Sequence, residues 1–447
     1  MGDTALEAQI DRWRDYVRRH RAVAPDDVDE MTDHLRERID DLRGAGLDDE
    51  EAFLVAVKRL GRLDAVSREF AREHSERLWK QLVLMPDDGT TGARTPWRDL
   101  GVLLALAVGA GTAVKLAAAG LDEETFVRNA AFLVLPFLAA YFVWKRRPPL
   151  RPVAVVAGSA AVACALVNLY PFAPGGSTGL LAAAHAPVVL WALVGVVYAG
   201  GRWRSPDRRM DFVRFTGELT IYFVLLALGG GVLLGLTAGL LSLVNVDLEP
   251  VLEDWILPFC VPGAFLVAAW LVEAKQEVVE NIAPVLTRVF TPLTTVMLAV
   301  SFVVLATAGG LTTVDRELLI LLDAVLVLVL ALLLYSISAR DPLARPGLFD
   351  GLQLTLVVAA LAVDALALTA MLTRIAEFGA SPNKVAALGL NLLLLVHLVR
   401  TGWLLPGFCR RRRGFAALEG WQTSYLPVYA VWAACVVVAF GPLFGFA

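Results

Sequence analysis

The chain has 447 residues, 57% of them hydrophobic and 19% charged, with a mean hydropathy of +0.62. Its formal net charge is −4, unevenly spread: residues 1–93 hold 22 acids and 15 bases, the remainder 22 acids and 25 bases. That much apolar surface excludes an ordinary soluble globule and predicts an all-α, polytopic membrane protein with an acidic, water-soluble head. The head contains no apolar signal-peptide core. The four scattered cysteines, Cys164, Cys260, Cys409 and Cys435, predict neither a disulfide nor a metal site.

Residues 4–20 place Leu6, Ile10, Trp13 and Val17 at helical spacing. Pro25, followed by Asp26 and Asp27, opens a second helix with Val28, Met31, Leu35, Ile39 and Leu42 inward, ended by Gly44 and Gly46. Asp48 or Asp49 caps a third, which Gly61 stops, and a fourth is expected at about 64–82. The expected domains are a cytoplasmic helical head at 1–83, a linker at 84–97, and a transmembrane region at 98–447.

The stretch "MTDHLRERIDDLRGAGLDDEEAFLVAVKRLGRLDAVSREF" resembles the HAAS-type, or permease prefix, domain of bacterial membrane proteins. Shared features are an acidic helix with His-Leu, a Gly-Leu turn, "EEAF", a Leu-Gly stop and a closing "EF". That resemblance implies a head which links the membrane region to a PadR-like transcription regulator. His34 falls on the family's histidine, and a lone histidine on an amphipathic helix is ordinarily structural. The acidic head offers no basic, aromatic-bearing surface for nucleic acid.

Eleven spans are expected, near 99–120, 129–145, 152–170, 179–200, 215–244, 255–274, 286–309, 317–338, 351–373, 383–405 and 421–445. With the head inside, the inner connections collect twenty Lys and Arg and the outer ones four. The expected location is a bacterial inner membrane, N-terminus cytoplasmic and C-terminus outside.

Gly231, Gly235 and Gly239 form a small-xxx-small stripe in the fifth span, read as a helix-packing surface. Ionisable residues within spans are candidates for a substrate or ion site, because charge in hydrocarbon is costly. Lys115, His185, Glu218, Asp323 and Asp364 are such residues, and an i,i+4 ion pair with Arg214 accounts for Glu218. Asp364 is the deepest and too short to reach water, so it must be protonated, paired or hydrated, with His185, Asn391 or Lys115 as possible partners. "TRIAEFGASPNK" at 373–384 reads as a tight helical hairpin: Gly379 ends one helix, Ser381 caps the next and Pro382 begins it. The longer "RIAEFGASPNKVAALGLNLLLL" resembles a recurrent stretch in bacterial multi-pass proteins of unknown function. Arg374, Glu377, Pro382, Asn383 and Lys384 would be its hallmark positions.

No phosphate loop, HExxH or GxSxG occurs, so no enzyme, cofactor or metal is expected. The expected function is a membrane sensor or regulator whose head binds a cytoplasmic partner such as a PadR-like regulator. The alternative is a secondary transporter, proton-coupled through Asp364, with the head as a regulatory appendage.

Overall fold

The computed structural model describes residues 6–7, 9–11, 13–14, 25–44, 47–60, 96–242, 248–274, 282–307, 316–340 and 344–447. Among the described residues there is no strand, in keeping with the all-α expectation. The chain divides into two units, Met1–Ala93 and Arg94–Ala447.

In the first unit, α1 (Pro25–Gly44) and α2 (Asp49–Leu60) pack together. Leu6, Ile10 and Trp13 join Leu35, Ile39, Leu42, Phe53 and Val57 in one apolar core. Asp48 is the cap, its Oδ1 accepting from the Glu51 N–H at 2.7 Å. Asp49 instead meets Arg43 Nε at 2.7 Å. His34 is exposed, 3.7 Å from Glu37. The fourth helix expected at 64–82 and most of the linker expected at 84–97 lie outside the described residues.

The second unit contains α3 (Pro96–Gly120), α4 (Glu123–Arg146), α5 (Leu150–Leu169), α6 (Ser177–Tyr198) and α7 (Pro206–Ser242). Residues Glu249–Val251 and a π turn at Leu252–Ile256 lead into α8 (Leu257–Ala274). Then come α9 (Ile282–Thr307), α10 (Arg316–Ser338), α11 (Leu348–Phe378), α12 (Pro382–Cys409) and α13 (Phe415–Leu443). Interior prolines such as Pro136, Pro187 and Pro427 are tolerated, as is usual where neighbouring helices support the backbone.

Among the described residues ten helices are long and apolar enough to cross a membrane, against the eleven expected. The difference is α9, of which Thr287–Val303 is the apolar stretch fully described, too short to count as a span by itself. Even so, α9 carries the chain from one end of the bundle to the other. Glu273 of α8 meets Lys145 and Arg146 at one end, while α10 begins beside the α11–α12 turn at the opposite end.

Two apolar cores result. One joins α3, α4, α6 and α8 with the first turns of α7, around Leu138, Phe142, Phe215 and Leu266. The other joins α10, α11, α12 and α13, around Leu326, Leu333, Val357, Val363 and Leu398. Contacts of α6 with α13 and of α7 with α10 bind the two halves.

The glycine stripe of α7 does not serve as a packing surface among the described residues. A Cβ placed at Gly231, Gly235 or Gly239 would meet open space, and Leu228, Val232, Leu236 and Leu240 beside them are more than 60% exposed. This flank faces the surroundings, where lipid would cover it. Close helix approach occurs instead at Gly111 of α3, where a Cβ would lie 3.0 Å from Phe259 Cα of α8.

Candidate functional site

The hairpin between α11 and α12 forms as its residue types require. Gly379 leaves α11 with φ of 73°, a conformation costly for other residues. Ser381 caps α12, its hydroxyl accepting from the Lys384 N–H at 3.5 Å, and Pro382 is buried at the first helical position. Lys384 reaches back across the turn. Its Nζ donates to the Gly379 carbonyl at 2.8 Å and the Arg374 carbonyl at 3.2 Å, tying the start of α12 to the end of α11.

Behind this hairpin lies a cavity of about 420 Å³, at the junction of the two halves. Its polar lining is Arg374, Ser381, Asn383, Lys384, His185 and Asp323. Its walls are aliphatic, including Leu181, Ile320, Met371 and Leu390. A volume of this order suits a small molecule. Five of the candidates from the sequence therefore share one cavity. Glu377 is exposed and outside it, and Pro382 shapes the turn without lining it.

Depth orders the polar residues. At 1.5 Å per residue, Asp323 lies about 10 Å into α10, His185 about 12 Å into α6 and Asn391 about 13 Å into α12. Asn391 is fully buried and its Nδ2 donates to Asp323 Oδ1 at 2.9 Å. His185 Nδ1 lies 2.9 Å from the Leu181 carbonyl. A carbonyl only accepts, so Nδ1 carries the proton and Nε2 of the neutral ring is an acceptor.

Asp364 lies deeper, about 21 Å from the hairpin end of α11, and is 0% exposed. Neither of its oxygens has a hydrogen-bond partner among the described residues, and the same is true of Asn391 Oδ1. Of the partners expected for it, Asn391 is taken by Asp323, and His185 lines the cavity above. Lys115 is not part of this site. It pairs with Asp254 at 2.9 Å and lies 5.0 Å over the Trp255 ring, because its position near the end of α3 faces the π turn before α8. Among the described residues, Asp323 is the group whose charge reaches Asp364.

One polar cluster was not singled out from the sequence. His397 of α12 is 0% exposed, with Nε2 2.6 Å from Gln422 Oε1 and Nδ1 3.1 Å from the Tyr429 hydroxyl, both on α13. Gln422 Nε2 donates to Thr401 Oγ1 at 3.0 Å, and Thr401 donates to the His397 carbonyl at 2.8 Å. Every side-chain partner is supplied, so this cluster ties α12 to α13. The sequence signal available for it was a polar residue at each of three helical turns in otherwise apolar segments.

Comparison with family models, curated proteins and solved structures finds no match to this chain. The resemblances drawn from the head and the hairpin rest on the residues quoted for them. The fold and site define a helical, membrane-type protein with a solute-sized cavity above buried carboxyl groups.

Proposed function

We propose that the protein is a secondary permease, not an enzyme, that binds a small solute in the hairpin cavity and couples its passage to a proton held by Asp364 and Asp323. The observation that carries this reading is Asp364 itself, wholly buried, with neither oxygen partnered among the described residues, beneath a cavity whose floor is a second carboxylate. Polar groups buried without partners are expensive, and in membranes such residues mark substrate and ion routes. A dehydrated sodium ion would need several more oxygens. The helices that carry Asp364 and Asn391 are continuous and free no carbonyls to supply them. A proton needs none.

In this reading the protein sits in a bacterial inner membrane, with the HAAS-like head in the cytoplasm and the C-terminus outside. The test is reconstitution of the full chain in vesicles enclosing a pH-sensitive dye, with pooled small metabolites added outside. Solute-dependent acidification of the lumen that disappears in Asp364→Asn supports the reading. Acidification of equal size in the variant removes Asp364 from the mechanism.

A second reading is favoured by the separate core of residues 1–93: a sensor whose head binds a cytoplasmic partner such as a PadR-like regulator. Affinity capture from native membranes, with the full chain and with a chain lacking residues 1–80, tests it. A partner enriched only with the head present is the result this reading requires.

A further inference from the structure

We infer that the cavity recognises a zwitterion, a molecule with an ammonium group and an acidic group on one apolar body. The inference rests on the reading of the cavity as a solute site and names the class of solute that fits.

The floor is built of acceptors. Asp323 Oδ1 is occupied by Asn391, which orients the carboxylate and leaves Oδ2 for the cavity. His185 lies at a similar depth, and its Nδ1–H is committed to Leu181, so Nε2 offers a lone pair. A carboxylate and a neutral imidazole nitrogen, both held by second partners, suit an ammonium group and repel an anion. The rim is built of donors. Lys384 spends two of its three N–H groups on carbonyls and keeps one. Arg374 and Asn383 line the same edge, and the first turn of α12 adds positive potential. Between rim and floor the walls are aliphatic. A cation alone would leave the third Lys384 N–H unanswered, and an anion alone would leave Asp323 unanswered. Arg374 from α11, Lys384 from α12 and His185 from α6 line the same cavity as Asp323, and Asp364 from α11 lies within reach of its charge. Opposite charges at the two levels of one cavity match a zwitterion whose axis runs from floor to rim.

The test uses the full chain in a mild detergent and follows thermal unfolding by tryptophan fluorescence. The probes share one body: L-phenylalanine carries both charges, phenethylamine only the ammonium and 3-phenylpropionate only the carboxylate. Phenylalanine should raise the unfolding temperature, and each single-charge analogue should bind at least about tenfold more weakly, because it leaves built polar groups unpaired. Asp323→Asn should abolish the shift, and Arg374→Gln serves if that variant does not fold. Glu377→Gln, on the hairpin but outside the cavity, should retain it. An analogue that stabilises as well as phenylalanine overturns the inference, as does the absence of any shift with phenylalanine. Repeating the measurement in nanodiscs with and without phosphatidylethanolamine separates a free solute from a lipid headgroup of the same chemistry: loss of the shift only with that lipid assigns the seat to the headgroup. A shift without proton-linked uptake would sink the permease reading and leave the zwitterion site standing.

Discussion

Replacing Asp364 by Asn tests the reading most directly, because the structure sets different magnitudes for different states of the carboxyl group. The residue is 0% exposed, and neither oxygen has a partner among the described residues. An ionised carboxylate in that position would pay several kcal/mol in desolvation with nothing to repay it. A neutral acid pays only the cost of a poorly paired polar group, about 1–3 kcal/mol. The neutral acid is therefore the form these surroundings tolerate, and an amide of nearly the same shape should change stability by about 1 kcal/mol or less. Had the carboxylate been charged and tied to a donor, the same substitution would cost about 3–5 kcal/mol. Reversible unfolding of both proteins in bicelles by a denaturing detergent gives the difference. Infrared spectra supply a second readout, since the protonated-carboxyl carbonyl band of the parent should be missing from the variant. A loss of 3 kcal/mol or more, or an unchanged carboxyl band, would refute the argument.

At the opposite end of the bundle, Arg340 is 2.5 Å from Asp350, which is 2% exposed. Arg340→Met should cost about 3–5 kcal/mol by stranding that carboxylate, and adding Asp350→Asn should restore much of it, both read from the same unfolding curves. Gln422→Leu removes a partner of His397 and of Thr401, so stability should fall by about 1–3 kcal/mol while proton-linked flux in vesicles is unchanged. At the start of α4, the Thr125 backbone N–H holds the Asp122 carboxyl below its ordinary value. The cap contributes fully above the ordinary Asp value of about 4 and is lost as pH falls through the lowered one. Hydrogen exchange at residues 123–126 should speed up over that acidic range, and Asp122→Ala should exchange fast at every pH.

What could be read from the sequence was what neighbouring residues decide together. Gly379, Ser381 and Pro382 specify their hairpin within four positions, and the structure contains it as read. Apolar length located the helices, α9 among them, although threonines, a proline and an arginine fall within its run. Partnership between distant helices was less legible. Lys115 could have faced any neighbour, and only the fold turns it toward Asp254. The glycines of α7 satisfied a local pattern, but a pattern does not say whether a second helix is present to use it. His397 and Gln422 are 25 residues apart on different helices, so neither announces the other.

Satisfaction separates the two buried polar centres. His397 and Asp364 are equally inaccessible, both lie near the middle of long helices, and each would attract notice in an apolar segment. His397 has a partner for each ring nitrogen, and those partners are partnered in turn, which is how a polar group is used to fix the register of two helices. Asp364 has no such shell among the described residues. Retaining an unsatisfied carboxyl group costs stability that a leucine would not, so its presence calls for a role in which the missing partner arrives and leaves. A proton does so, and the route to it runs past Asp323, the one acid among the described residues that lines the cavity.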